Sequence, residues 1–295
     1  MFKSNALVIG IAICLTGIFS CTKSTTSPIT ISNNEKIDSL TRIGQDLFYS
    51  GEYTRSKLIF NKASSLITPT TAASIKGQLL NSKTEFLRRE GQFDECLSNY
   101  FEVVQLAEEA QDSSLIGLGN YNLSRLFLAT SVFDKSTHYI NRAKSIFNAL
   151  KDDEKLANCL ILAASIYRLS GNIIDAKAEL NSALIIYDKL NLAINKAICY
   201  NNYANLLYSE QNYRQAIKYY QYNASIRDSL KDTYGLALTL GNIGENYLEL
   251  GELHTAKIYI DSSLRLSSSI NAEEIALYNH ERLLSYYEKK GAHKE

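Results

Sequence analysis

The residues best placed to do chemistry in this 295-residue chain are few and scattered. A metal site needs ligands that converge, and His138, His254, His280 and His293 form no pair at ligand spacing. Gly117-Leu118-Gly119-Asn120-Tyr121-Asn122 begins like a phosphate-cradling dinucleotide loop. Its third glycine is absent and no strand precedes it, so it reads as part of a helix. Neither a Gly-x-x-x-x-Gly-Lys loop nor a Gly-x-Ser-x-Gly elbow occurs. Carboxylates are plentiful, but on helix faces where solvation is their ordinary role. Cys96, Cys159 and Cys199 are 63 and 40 residues apart, which matches no zinc pattern and marks them as small buried hydrophobes. The expectation is a protein with no catalytic residues, no metal and no cofactor.

Cys21 stands apart. Lys3 is followed by an uncharged apolar run, Ala6–Ile18, too short to span a bilayer, and then by Ser20-Cys21. This is the layout of a secretory signal peptide. Ile18-Phe19-Ser20-Cys21 resembles the bacterial lipobox, and the resemblance implies that residues 1–20 are removed and Cys21 is lipidated. The next stretch is polar, rich in Ser and Thr, and contains Pro28, so residues 21–36 are expected to form a flexible tether.

Lys and Arg total 31, as do Asp and Glu, so the formal net charge is zero. That balance argues against nucleic acid as a partner, since phosphate binding draws on a basic surplus or stripe. An apolar fraction of 45% excludes wholesale disorder, and only two prolines favour helices over a turn-rich β fold.

The elements follow from an internal clock. Gly51, Gly91, Ser131, Gly171, Gln211, Gly251 and Gly291 recur every 40 residues. Five positions after each marker come Ser56, Cys96, Ser136, Ala176, Ala216 and Ala256, all small. Nine after come Phe60, Tyr100, Ile140, Leu180, Tyr220 and Ile260, all large. Seven before come Gly44, Thr84, Ser124, Ala164, Ala204 and Gly244, small again, with Leu284 breaking the rule. Apolar residues at helical spacing precede each marker, the marker itself suits a left-handed helix end, and a second helix follows. Small residues on both helices permit close approach. Such a pair cannot bury both faces alone, so neighbours must stack. Six helix pairs and one further helix fill residues 37–295.

Leu240-x-x-Ile243-Gly244-x-x-Tyr247 followed by Ala256-x-x-x-Ile260 resembles the tetratricopeptide repeat, as does Tyr200-x-x-Tyr203-Ala204-x-x-Leu207 with Ala216-x-x-x-Tyr220. The chain departs from that family in lacking Trp and in its longer period. The resemblance implies an all-α, right-handed solenoid of stacked antiparallel helix pairs, with first helices lining a concave surface. It also implies a ligand site. Forty-residue forms of the family often carry Asn nine positions before the marker, where the amide grips a bound peptide. That column reads Arg42, Ser82, Asn122, Leu162, Asn202, Asn242 and Arg282, so Asn122, Asn202 and Asn242 are the candidates. Glu85, Arg125, Ser165, Asn205 and Glu245, six before the marker, share the face and are candidates for specificity.

The function expected is a non-catalytic, lipid-anchored scaffold of the bacterial envelope, facing the periplasm and binding a protein or peptide in its groove. The alternative is the sensory module of a membrane-bound kinase or transcription factor. Leu283, Leu284 and Tyr287 keep the last helix apolar where a cap would be polar. Either this helix is a crude cap whose polar residues Glu281, Glu288 and Lys289 suffice, or the native chain runs past Glu295 into another helix; the second is the expectation.

Overall fold

A computed structural model describes residues 32–292. The signal segment, Cys21 and most of the expected tether lie outside the described residues. Thirteen helices and no strands make up the described part. They are α1 (Asn33–Tyr49), α2 (Tyr53–Ser65), α3 (Ala73–Arg89), α4 (Phe93–Glu109), α5 (Ser113–Ala129), α6 (Phe133–Ala149) and α7 (Asp153–Leu169). The rest are α8 (Ile173–Lys189), α9 (Ala193–Ser209), α10 (Tyr213–Ser229), α11 (Thr233–Glu249), α12 (Leu253–Ser269) and α13 (Glu273–Ala292). Helix begins at Asn33, four residues before the expected start, with Glu35 in its first turn where an acid favours the helix N-terminus.

Two kinds of turn join the helices. The marker column ends each first helix in the left-handed region, with φ of 83° at Gly51, 74° at Gly91, 59° at Ser131, 85° at Gly171, 58° at Gln211 and 73° at Gly251. A second left-handed column closes each second helix from α4 onward: Gln111, Lys151, Asn191, Lys231 and Asn271. Asp112, Asp152 and Asp232 then cap the following first helices, accepting from Leu115, Lys155 and Gly235 amides at 3.0, 3.1 and 2.9 Å. The exception is α2, which stops early and hands over to a longer connection holding Pro69. Gly291 is a further departure from expectation. The α13 helix runs through it to Ala292, so this last marker makes no turn.

The small columns meet inside each pair. Ser56 donates to the Gly44 carbonyl at 2.6 Å, and Cys96, Ala176, Ala216 and Ala256 are fully buried. A Cβ added at Gly244 would come within 2.7 Å of the Ile260 side chain. First helices also touch the next first helix: α1 with α3, α3 with α5, α5 with α7, α7 with α9 and α11 with α13. No contact of that extent joins successive second helices among the described residues. First helices therefore crowd the inside of the curve and second helices fan out on its convex side.

Candidate functional site

Positions thirteen, nine, six and two before the marker alternate by four and three residues, so they form one stripe down each first helix. The stripe faces the neighbouring first helices, which strips water from its polar groups and forces them to pair. At the start of the array, buried Glu85 accepts from Tyr100 Oη at 2.8 Å, Arg88 Nε at 3.0 Å and Arg125 Nη1 at 3.2 Å. Burial alone would raise the Glu85 carboxyl, but Arg125 and Arg88, with the Tyr100 hydroxyl, outweigh it and hold it low. Arg125 also donates to Asn122 Oδ1 at 3.1 Å, and Asn122 Nδ2 donates to Asn81 Oδ1 at 2.8 Å. Asn122 is buried and both ends of its amide are engaged within the chain.

A second cluster closes the array. Arg282 Nη2 donates at 2.8 Å to both Asn242 Oδ1 and Glu245 Oε2, and its Nε reaches Glu245 at 3.1 Å. The structure thus joins Asn242 and Glu245 through a residue of the next repeat. Tyr208 reaches Glu245 at 3.2 Å, bridging the α9–α11 step, where the helices meet less closely than at the other steps. Between the clusters, Asn202 is half-buried. It donates to the Ile198 carbonyl at 2.9 Å and accepts from Ser165 at 3.3 Å. Asn205, also half-buried, accepts from the Tyr220 hydroxyl. Sequence reasoning missed Asn81, Tyr100 and Tyr208. The available signal was opposite charge in adjacent repeats on this stripe: Glu85 and then Arg125, both six before the marker, and Glu245, six before, then Arg282, nine before.

Apolar groups on the same stripe stay uncovered. Tyr49 is 80% exposed, Leu169 49% and Ile198 39%. Tyr49 walls a cavity of about 590 Å³ together with Leu118, Tyr121, Arg125 and Lys155. Arg125 lies over the Tyr121 ring at 5.7 Å. The inner surface therefore offers aromatic and aliphatic contact, with amides and a guanidinium held rigidly beside it.

The other chemical candidates are structural. Gly117 and Gly119 lie within α5, where an added Cβ would come 2.7 Å from Phe147 and 2.7 Å from Val104 respectively. Burial pushes the Cys96 thiol up to about 11 and those of Cys159 and Cys199 to about 12, which suppresses thiolate chemistry. Among the described residues no three His, Cys, Asp or Glu gather as a metal set, and no helix is long and apolar enough to cross a membrane.

No protein-family model and no curated protein matches this sequence. Solved structures do match the fold. A Rap protein complexed with competence and sporulation factor aligns over 82% of this chain and 77% of its own, at 14% identity and a TM-score of 0.67. NprR in complex with its cognate peptide NprX aligns over 86% and 77%, at 17% identity and 0.64. A signal-transduction ATPase from Pyrococcus horikoshii with a tetratricopeptide repeat sensor aligns over 90% of this chain and 39% of its own, at 17% identity and 0.66. The chain is an α-solenoid of helix pairs. Its fold is of the tetratricopeptide-like helical-repeat class.

Proposed function

We propose that this protein is a non-catalytic scaffold that binds an extended peptide or protein segment along its inner face. The observation that carries this reading is the exposure of Tyr49, Leu169 and Ile198 on a stripe whose polar members are otherwise tied to one another. Stacked helices lie about 8–10 Å apart and an extended chain rises about 3.3 Å per residue, so each repeat meets about every third ligand residue. Half-exposed Asn202 and Asn205 supply amides beside Ile198. The similarity to a Rap protein complexed with competence and sporulation factor, and to NprR complexed with its cognate peptide NprX, supports the same use of this fold. In the full reading Cys21 carries a lipid and tethers the scaffold to the bacterial envelope, facing the periplasm. That part is supported by the residues around Cys21 alone.

The test begins with a photo-crosslinking residue at Ile198, which captures the partner. Leu169→Asp and Ile198→Asp should each weaken the captured partner by about tenfold or more, since each buries a charge against apolar surface. Ile185→Asp, on the convex side of α8 and 70% exposed, should leave affinity unchanged. Equal effects of inner and convex variants would refute the groove.

Similarity to the sensor of the Pyrococcus horikoshii protein supports a second reading, a sensory module of a membrane-bound regulator. Purification from membranes with and without ligand separates the two. Ligand-dependent exchange of a second partner supports the sensor, and one constitutive partner supports the scaffold.

A further inference from the structure

Arg168, on α7 three positions before its marker, is half-buried and has no hydrogen bond or ion pair among the described residues. Every other arginine of a first helix is engaged. Arg42 meets Asp38 at 2.8 Å, Arg88 and Arg125 meet Glu85 at 3.0 and 3.2 Å, and Arg282 meets Glu245 at 2.8 Å. Arg89 stacks over the Tyr53 ring at 4.1 Å.

Register explains the difference. A side chain three before the marker draws on a group six before it, either on its own helix, as Arg88 does with Glu85, or on the next first helix, as Tyr208 does with Glu245. For Arg168 those two positions hold Ser165 and Asn205, and neither is an acid. Burial lowers the guanidinium of Arg125 as well, but Glu85 outweighs it and the net shift is upward. Arg168 is left lowered by burial, with only Tyr220 opposing, and burial raises the Tyr220 hydroxyl and keeps it neutral. A desolvated charge without a partner costs stability, so the fold gains nothing from Arg168.

Tyr220 also connects Arg168 to Asn205. Its hydroxyl donates to Asn205 Oδ1 at 2.5 Å, which orients the amide and leaves Asn205 Nδ2 without an acceptor among the described residues. Two donors therefore lack acceptors on the step that also exposes Leu169 and Ile198. A carboxylate has an oxygen for each. One step along the array, Glu245 plays that part, accepting from Tyr208 and Arg282.

We propose that Arg168 and Asn205 form a subsite for an acidic side chain, so that the segment held in the groove carries Asp or Glu here beside apolar residues that meet Leu169 and Ile198. This role rests on the peptide-groove reading and adds to it the charge of the ligand.

The probe is a bead-displayed library of random heptapeptides with amidated C-termini, sorted for binding to the full chain. Sorted peptides should be enriched in Asp or Glu at one position. Replacing that acid by its amide should weaken an individual peptide about tenfold, and the same replacement should have no effect on binding to Arg168→Gln. Arg168→Met should raise the melting temperature, because it removes a charge without a partner. Sorted peptides that need Ile198 but show no acidic preference would overturn the subsite alone, as would a preference that survives Arg168→Gln. An acid requirement met only by a free C-terminus would overturn the side-chain assignment. A lowered melting temperature of Arg168→Met would show that the fold itself holds Arg168, and would overturn the subsite too. Sorted peptides that bind Ile198→Asp as tightly as the unaltered chain would instead refute the groove.

Discussion

Ser124 and Ser136 exchange hydrogen bonds across the third helix pair: each hydroxyl donates to the other's main-chain carbonyl at 2.8 Å, and the two oxygens lie 3.1 Å apart. The equivalent pairs are Gly44 with Ser56, Thr84 with Cys96, Ala164 with Ala176, Ala204 with Ala216 and Gly244 with Ala256. Size, not polarity, is what these positions share. The hydroxyls are an embellishment on a requirement for closeness.

That distinction is testable. Ser124→Ala and Ser136→Ala should each cost about 0.5–1.5 kcal/mol, the worth of a neutral hydrogen bond. The double variant should cost less than the sum, because it recreates the Ala–Ala pair of the two following repeats. Ala256→Leu should cost about 1–3 kcal/mol through overpacking. Urea unfolding measures all four. A strictly additive double variant, or an unaffected Ala256→Leu, would contradict the account.

Glu85 makes stability sensitive to acid. Its carboxyl is held below the ordinary 4.5, so its contribution is complete above that value and is lost as pH falls through the lowered folded value. Glu85→Gln should cost about 1.5–3 kcal/mol at neutral pH, the range for hydrogen bonds to charged groups. The variant's stability should then decline less steeply than wild type below pH 4.5. Parallel pH profiles of the two proteins would rule this out.

Gln211 occupies a marker turn at φ 58°, where four of the other five left-handed marker turns carry glycine. A non-glycine residue there costs about 1–2 kcal/mol, partly offset by the lower entropy of its unfolded chain. Gln211→Gly should therefore stabilise the array by about 0.5–1 kcal/mol. A lowered melting temperature would show that the Gln211 side chain contributes more than its backbone costs.

Cys21→Ser should shift the protein from the membrane fraction to the soluble periplasm, because acyl chains contribute about 0.8 kcal/mol per buried methylene. A variant that stays with the membrane would end the lipid-anchor reading.

Periodicity alone determined where helices pair and which residues touch. A left-handed end and a close approach each demand a residue type at a fixed place, so columns such as Ala256 and Gly251 carry the fold openly. The companion turn at Gln111, Lys151, Asn191, Lys231 and Asn271 left no such trace, since each tolerates its left-handed backbone between two stable helices. Which members of the inner stripe remain available was decided only in three dimensions. Asn122 and Asn202 share a column, yet the neighbouring helix presents Asn81 to the first and Ile161 at the matching position to the second. Asn81 can accept a hydrogen bond, so Asn122 is bound and buried. Ile161 offers no such side-chain partner, so Asn202 Nδ2 turns back to its own helix at the Ile198 carbonyl, its Oδ1 accepts from Ser165 alone, and the amide stays half-exposed. Column membership is a property of one helix; availability depends on what the next helix brings within hydrogen-bonding distance.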